Sequence, residues 1–166
     1  MLELSQQAIF SGLLVGSVYA LVALGIALTF GAMKIINLAH GELVLLAAYM
    51  AYFIESRTGW NPYAAIPLAS AVTAFVSIAV YLLIDRIKLH RELNSLILTF
   101  AIGIILTNGI LLVFASDVRS TNSPILQDAI SFHTVYAMKG ELTAFVVSLC
   151  VMTGLWWWLK LSWYGR

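Results

Sequence analysis

The sequence predicts an all-α fold, a polytopic bundle of transmembrane helices, on two observations. Of its 166 residues, 61% are hydrophobic and only 10% are charged, and the mean hydropathy is +0.94. Soluble domains carry about 25% charged residues, so this composition indicates an integral membrane protein. The apolar residues also fall in long uncharged runs, and about 20 such residues are enough for a helix to span a bilayer.

The uncharged runs predict about five membrane-inserted segments within a single transmembrane domain, residues 1–166. The only charge ahead of the first run is Glu3, whereas a secretory signal needs a basic region there, so we predict a retained helix. Pro62 favours the start of the third segment, because proline is well tolerated at the first position of a helix. The approximate segments are 7–30, 38–55, 63–84, 93–115 and 141–159.

The basic residues predict how these segments are oriented. Three of them fall in the short loop 85–92, and cytoplasmic loops are enriched in Lys and Arg, so we place this loop in the cytoplasm. Loop 55–62 and the polar stretch 117–139 then lie outside, and we expect residues 130–136 to form a short amphipathic piece. Segment 38–55 is shorter than the ~20 residues of a usual span. The N-terminus is therefore outside if this segment spans the membrane and inside if it is re-entrant.

A polar interruption near residues 31–42 predicts a broken, discontinuous element around which the rest of the chain is organised. A cation, an amide, an imidazole and a carboxylate fall within nine residues there, beside two glycines. A charged side chain at the bilayer centre costs roughly 2.5–3.5 kcal/mol on insertion scales. We therefore expect the break to lie at an interface or beside a water-filled cavity. Its polar and glycine residues are Gly31, Lys34, Asn37, His40, Gly41 and Glu42.

The break also predicts how the next helix begins. Asn37 is a good N-cap for a helix that starts at Leu38, because its side-chain oxygen can accept a hydrogen bond from a free backbone N–H. Glu42 then falls near the first turn, where the positive end of the helix dipole stabilises an anion. Because bulk at the break would push the two helices apart, we expect Gly41→Leu to be more disruptive than Gly59→Leu.

Two roles are open for the residues of the break. In transporters with discontinuous helices, exposed backbone groups and the helix N-terminus meet the charges of a zwitterionic solute. Alternatively, the side chains bond one another and the broken backbone, and so hold the kink. The candidate residues for the substrate pathway or the kink are Asn37, His40, Gly41 and Glu42.

Small residues recur at four-residue spacing along the first segment. Such stripes let neighbouring membrane helices approach closely, so we predict that they pack against other helices. The predicted packing positions are Gly12, Gly16, Ala20 and Gly31.

The sequence argues against several other functional classes. It contains no G-x-x-x-x-G-K-[ST] motif for nucleotide phosphates, and His40-Gly41-Glu42 lacks the H-E-x-x-H spacing of a zinc site. The three histidines lie in separate regions, so no catalytic set, metal or other cofactor is predicted. Cys150 is the single cysteine and the net charge is +1, which predict no intrachain disulfide and no nucleic-acid partner. We therefore expect no enzymatic activity.

Several stretches carry a resemblance to a known family: GSVYALVALG at 16–25, INLAHGE at 36–42, LILTFAIG at 96–103 and YGR at 164–166. Together with Gly31 and Ala48-Tyr49, they resemble the Liv-type permeases of branched-chain amino acid ABC importers. Urea and amide importer permeases are close relatives of that family. The resemblance covers nearly all of this chain, but only about the N-terminal half of a usual family member.

The resemblance implies a transmembrane permease subunit of a binding-protein-dependent ABC importer in the bacterial inner membrane, carrying branched-chain amino acids. It implies as partners a second permease subunit, two cytoplasmic ATPase subunits that hydrolyse ATP, and a periplasmic solute-binding protein, besides the lipid bilayer. Two alternatives stay open: a permease for urea or short amides, and a non-transporting scaffold or truncated remnant. The sequence decides neither the solute nor whether the chain is a natural truncation, a split subunit or a fragment.

Overall fold

The computed structural model describes residues 2–115, 123–132 and 135–161, and most of them are helical. The helices are α1 (Leu2–Met33), α2 (His40–Thr58), α3 (Pro62–Asp85), α4 (Arg91–Phe114), α5 (Pro124–Gln127) and α6 (Lys139–Leu161). Two strands, β1 (Ala129–Phe132) and β2 (Val135–Met138), lie between α5 and α6. Within the described ranges, α1, α3, α4 and α6 are long and apolar enough to cross a membrane. The prediction of an all-α polytopic membrane bundle is confirmed, with a small strand pair added to it.

The chain forms two compact units. One unit holds Met1–Ala27 together with Asn122–Arg166, and the other holds Leu28–Thr121. The boundary falls inside α1, so the end of that helix belongs to the second unit. The predicted break and the loop 85–92 both lie in the second unit.

Helices α2, α3 and α4 pack together in the unit Leu28–Thr121. At one end of this unit, Ile35 lies in a buried apolar cluster with Ile84, near the C-terminus of α3. At the other end, the rings of Tyr49 and Phe114 meet with their centroids 4.8 Å apart. Helix α2 therefore runs antiparallel to α3 and in the same direction as α4, from one end of the unit towards the other.

Residues between α2 and α3 explain where the first helix ends and the second begins. Gly59 adopts the left-handed conformation with φ 65° after α2, and its N–H donates to the Glu55 carbonyl at 2.8 Å. Glycine takes this conformation without steric cost, which is why it commonly follows a helix. Asn61 Oδ1 accepts from the Tyr63 N–H at 3.0 Å. Pro62 fills the first position of α3, as predicted.

Within the unit of Met1–Ala27 and Asn122–Arg166, two hydrogen bonds link the start of α1 to the strand pair. Strands β1 and β2 are antiparallel, with Ser131 opposite Tyr136. The Gln7 Nε2 donates to the Tyr136 carbonyl, and the Tyr136 N–H donates to Gln7 Oε1, each at 2.8 Å. The Gln7 carboxamide thus satisfies both backbone groups of one strand residue, as a neighbouring strand would.

Parts of the sequence predictions fall on residues that the structure does not describe. Residues 117–122 and 133–134 belong to the predicted external stretch, and residues 162–166 include the last family-like motif. These residues and residue 116 lie outside the described ones. Where it is described, the predicted amphipathic piece at 130–136 is part of the strand pair.

Candidate functional site

A non-helical segment, residues 34–39, separates α1 from α2 at the predicted break. Lys34 ends α1 in a left-handed conformation, φ 56°, and its N–H donates to the Phe30 carbonyl at 2.8 Å. Ile35 is 1% exposed and Ala39 is fully buried. Lys34, Ile36 and Leu38 are exposed, so the described residues bury only part of the segment. Non-helical backbone at membrane depth has to be surrounded by protein or by a water-filled cavity.

The break contacts α4 about a third of the way along that helix. The Leu38 N–H donates to the Thr99 hydroxyl at 3.1 Å, and Thr99 is fully buried. Thr99 lies eight residues after Arg91, which is about 12 Å along the axis of α4 at 1.5 Å per residue. The whole 24-residue helix spans about 36 Å. Helix α2 therefore starts part-way across α4 and not at its end, as the discontinuous elements of many transporters do.

Asn37 closes the turn before α2, but it is not the predicted N-cap. Its Oδ1 accepts from the Ala39 N–H at 3.0 Å, and its carbonyl accepts from the His40 N–H at 3.3 Å. This is an Asx turn, in which a side chain imitates a backbone turn. Helix α2 begins at His40 with Ala39 at the N-cap position and no side-chain cap. Helix α2 begins two residues after the predicted start at Leu38 because the Asn37 carbonyl accepts from the His40 N–H in a tight turn. The first helical bond then runs from the Leu43 N–H to the Ala39 carbonyl.

Glu42 lies in the first turn of α2, as predicted. Its Oε1 accepts a long hydrogen bond, 3.4 Å, from the Thr107 hydroxyl of α4. The two helices come close here because α4 carries Gly103, where an added Cβ would lie 3.8 Å from the Ala39 Cα and 3.9 Å from the Glu42 Cδ. A longer side chain at position 103 would have to displace the first turn of α2.

A pocket of about 170 Å³ opens beside Glu42. Its polar wall is formed by Glu42, Thr107 and Asn108, and the Asn108 Nδ2 donates to the Ile104 carbonyl of its own helix at 2.7 Å. The other walls are apolar or lack a side chain. They come from Leu38, Phe100, Gly103 and Ile104. The pocket therefore combines one carboxylate, one hydroxyl and one amide with an apolar surface.

The face of α4 towards the break carries small or hydroxylated residues at four-residue spacing: Ser95, Thr99, Gly103 and Thr107. The first three are fully or almost fully buried, and the Ser95 Oγ has no hydrogen-bond partner among the described residues. The sequence analysis did not identify the two residues of this face that lie nearest the start of α4. The four-residue spacing inside an apolar helix could have pointed to them.

The four predicted residues of the break have different surroundings in the structure. Asn37 and Glu42 lie at the junction with α4, Asn37 as the turn and Glu42 in the pocket. His40 is half-buried, and its ring makes no hydrogen bond to another described residue. Gly41 is exposed, and no described atom lies within 4 Å of a Cβ built there, whereas Gly59 needs its left-handed backbone. These observations favour the opposite order to the one expected, with Gly59 the less tolerant position, and the comparison stays a prediction.

The predicted packing positions on α1 are exposed in the described structure. A Cβ added at Gly12, Gly16 or Gly31 meets no described atom within 4 Å, and Ala20 is also exposed. Their role in packing against another helix stays a prediction. Among the described residues, no group of three His, Cys, Asp or Glu side chains could hold a metal ion.

Comparison with known sequences finds relatives of the whole chain. Residues 8–166 match the family described as "branched-chain amino acid transport system / permease component". The chain is 29% identical to the high-affinity branched-chain amino acid transport system permease protein BraD of Pseudomonas aeruginosa, over 96% of the chain and 56% of the relative. It is 31% identical to the permease protein LivH of Escherichia coli K12, over 66% of the chain and 39% of the relative.

A more distant organism has a similar protein. The chain is 28% identical to the probable branched-chain amino acid transport permease protein LivH of Methanocaldococcus jannaschii, over 90% of the chain and 50% of the relative. The chain thus spans about half the length of the curated relatives it matches. No solved structure matches it.

Proposed function

Because the chain belongs to the family of branched-chain amino acid permease components, we propose that it is a transmembrane permease subunit of a binding-protein-dependent ABC importer for branched-chain amino acids. The family match covers residues 8–166. The relatives from two bacteria and one archaeon bear the names of branched-chain amino acid transport permeases. The four membrane-capable helices of the described residues make the chain a multi-pass membrane protein, as this role requires.

The observation that carries the proposal is the partly buried break between α1 and α2. A plain membrane anchor or scaffold has no need of a non-helical segment that contacts a neighbouring helix about a third of the way along its length. Here that segment ends beside a pocket containing the carboxylate of Glu42. Broken elements with polar groups near the bilayer midplane are where transporters of this kind hold their solutes.

The proposed partners follow from the same family. They are a second permease subunit, two cytoplasmic ABC ATPase subunits and a periplasmic solute-binding protein, all in or at the bacterial inner membrane. The sequence contains no phosphate-binding G-x-x-x-x-G-K-[ST] loop, so ATP hydrolysis is assigned to the separate ATPase subunits. The basic loop 85–92 faces the cytoplasm in this proposal.

Reconstituted transport tests the proposal. Proteoliposomes containing this chain and the permease and ATPase subunits encoded beside it are loaded with ATP, and the binding protein and labelled leucine are added outside. We expect accumulation of leucine that requires ATP and this chain, and that valine and isoleucine compete away. Loading with ADP and omission of the chain are the controls.

Two outcomes would contradict the proposal. Accumulation that is unchanged when the chain is omitted would mean that it does not form part of the pathway. Accumulation that urea or a short amide competes away, while valine does not, would transfer the function to that class of solute.

A further inference from the structure

We propose that the pocket beside Glu42 binds a primary alkylammonium group, the charged amino end of an aliphatic amino acid, with the carboxylate as the counter-ion. This inference rests on the proposed function and deepens it, since it names the part of the solute that is recognised and the residue that recognises it. It also separates an amino-acid permease from one for urea or short amides, because those solutes carry no positive charge.

The first argument is the charge of the site. Glu42 forms no ion pair with any described residue, and its side-chain partner is the Thr107 hydroxyl at 3.4 Å. Acidic side chains within a membrane are normally paired, and one that is not marks an ion or substrate pathway. Glu42 lies in the first turn of the 19-residue helix α2, where the positive end of the helix dipole stabilises its carboxylate when no cation is bound.

The second argument concerns which end of a zwitterion fits. A helix N-terminus alone would attract a carboxylate, as the sequence analysis considered. The side chain of Glu42 already supplies a negative charge to this helix end and lines the pocket. A solute carboxylate would meet that charge at close range, whereas an ammonium group would be attracted by it.

The third argument is the shape and lining of the pocket. The pocket is a partly open groove of about 170 Å³, which leaves room for a small amine with a short branched chain. The walls next to the carboxylate are Leu38, Phe100 and Ile104. A carboxylate at one side and three apolar side chains around it suit an isobutyl-type ammonium ion better than a hydrophilic, neutral solute.

Charge-selective cysteine labelling tests the inference without requiring transport. The exposed native thiol is removed by Cys150→Ser, and Ile104→Cys places a reporter in the apolar wall while the polar groups stay in place. In membranes containing the full chain, we compare the rates of modification by a cationic and an anionic methanethiosulfonate reagent of similar size. We expect a preference for the cation of at least about tenfold, because a single carboxylate at contact distance separates opposite charges by that much or more.

Matched variants identify the source of the preference. Glu42→Gln should bring the ratio of the two rates close to one, while Glu55→Gln, which changes another carboxylate of α2 near its far end, should leave it unchanged. A ratio near one in the parent, or a preference that Glu42→Gln does not alter, would overturn the inference. If Glu42→Gln does not accumulate in the membrane, protection of the parent by ligands decides the question.

Protection experiments distinguish the possible cations. Leucine and isobutylamine should slow the labelling of Ile104→Cys, and N-acetylleucine, which lacks the ammonium group, should not. Equal protection by sodium chloride and by isobutylamine chloride would show an inorganic cation site and overturn the assignment. If leucine uptake depends on ATP but labelling shows no charge preference, this inference fails and the proposed function stands. If labelling shows the charge preference and protection by leucine but no uptake occurs, the proposed function fails and this inference stands.

Discussion

Replacing Thr99 by valine tests whether one buried hydrogen bond holds the break in place. The Thr99 hydroxyl accepts from the Leu38 N–H at 3.1 Å, and the residue is fully buried. Valine keeps the shape but removes the acceptor. An unpaired donor in a buried site costs about 1–3 kcal/mol, whereas hydrogen bonds between membrane helices average only about 0.6 kcal/mol. Because Thr99 is buried but Leu38 is exposed, we expect a loss of about 1 kcal/mol, at the lower end of the range for a buried donor.

The measurement is the free energy of unfolding of the chain in mixed micelles, titrated with a denaturing detergent. The matched control is Thr153→Val, since Thr153 is exposed and its hydroxyl donates to the Leu149 carbonyl of the same helix at 2.7 Å. That change leaves no N–H unpaired and should cost no more than about 0.5 kcal/mol. Thr99→Ser retains the oxygen and should recover most of the loss. Equal losses for the two valine variants would refute the role assigned to the Thr99 bond.

Three further predictions concern particular contacts. Gly103→Leu should displace the first turn of α2 and lower the yield of folded chain, whereas Gly109→Leu, with no described neighbour within 4 Å, should not; size-exclusion profiles in detergent compare the two. Gly59→Leu should lower the free energy of unfolding by roughly 1–2 kcal/mol because of its positive φ, and Gly41→Leu by clearly less; the opposite order would contradict the backbone argument. Gln7→Leu should speed hydrogen exchange at the strand pair, measured by mass spectrometry, and an unchanged rate would mean that the two Gln7 hydrogen bonds contribute nothing to its stability.

The sequence predicts the helical architecture well because hydropathy and length carry that signal directly. The four helices that can cross a membrane coincide with runs of uncharged, apolar residues. The position of Glu42 in the first turn of α2 is likewise predicted, since it depends on nearby residues alone. Structural features that depend on residues close in the sequence can therefore be predicted from it.

Structural features that depend on residues far apart in the sequence could not be predicted in this way. The Leu38 N–H, just before α2, bonds to Thr99, which is 61 residues away in the chain, and no local pattern indicates that contact. The strand pair is tied through Gln7 and Tyr136, 129 residues apart, and strands of four residues leave little pattern to detect. Gly103 and Thr107 are predicted from the sequence as a small-residue packing face of α4, but the pocket that they line beside Glu42 is formed only by the fold.

Contacts within each unit bear on the two topologies that the sequence left open. If segment 38–55 were re-entrant, the N-terminus would lie on the cytoplasmic side, opposite the stretch 117–139. The bonds of 2.8 Å between Gln7 and Tyr136 place the start of α1 beside β2, within that stretch, which a re-entrant segment would forbid. In the unit Leu28–Thr121, α2 independently runs from the end near loop 85–92 towards the ring of Phe114 at the opposite end of α4. With loop 85–92 in the cytoplasm, we expect an external N-terminus from both observations. Helix α2 is not among the described helices that are long and apolar enough to cross a membrane, so the orientation stays a prediction.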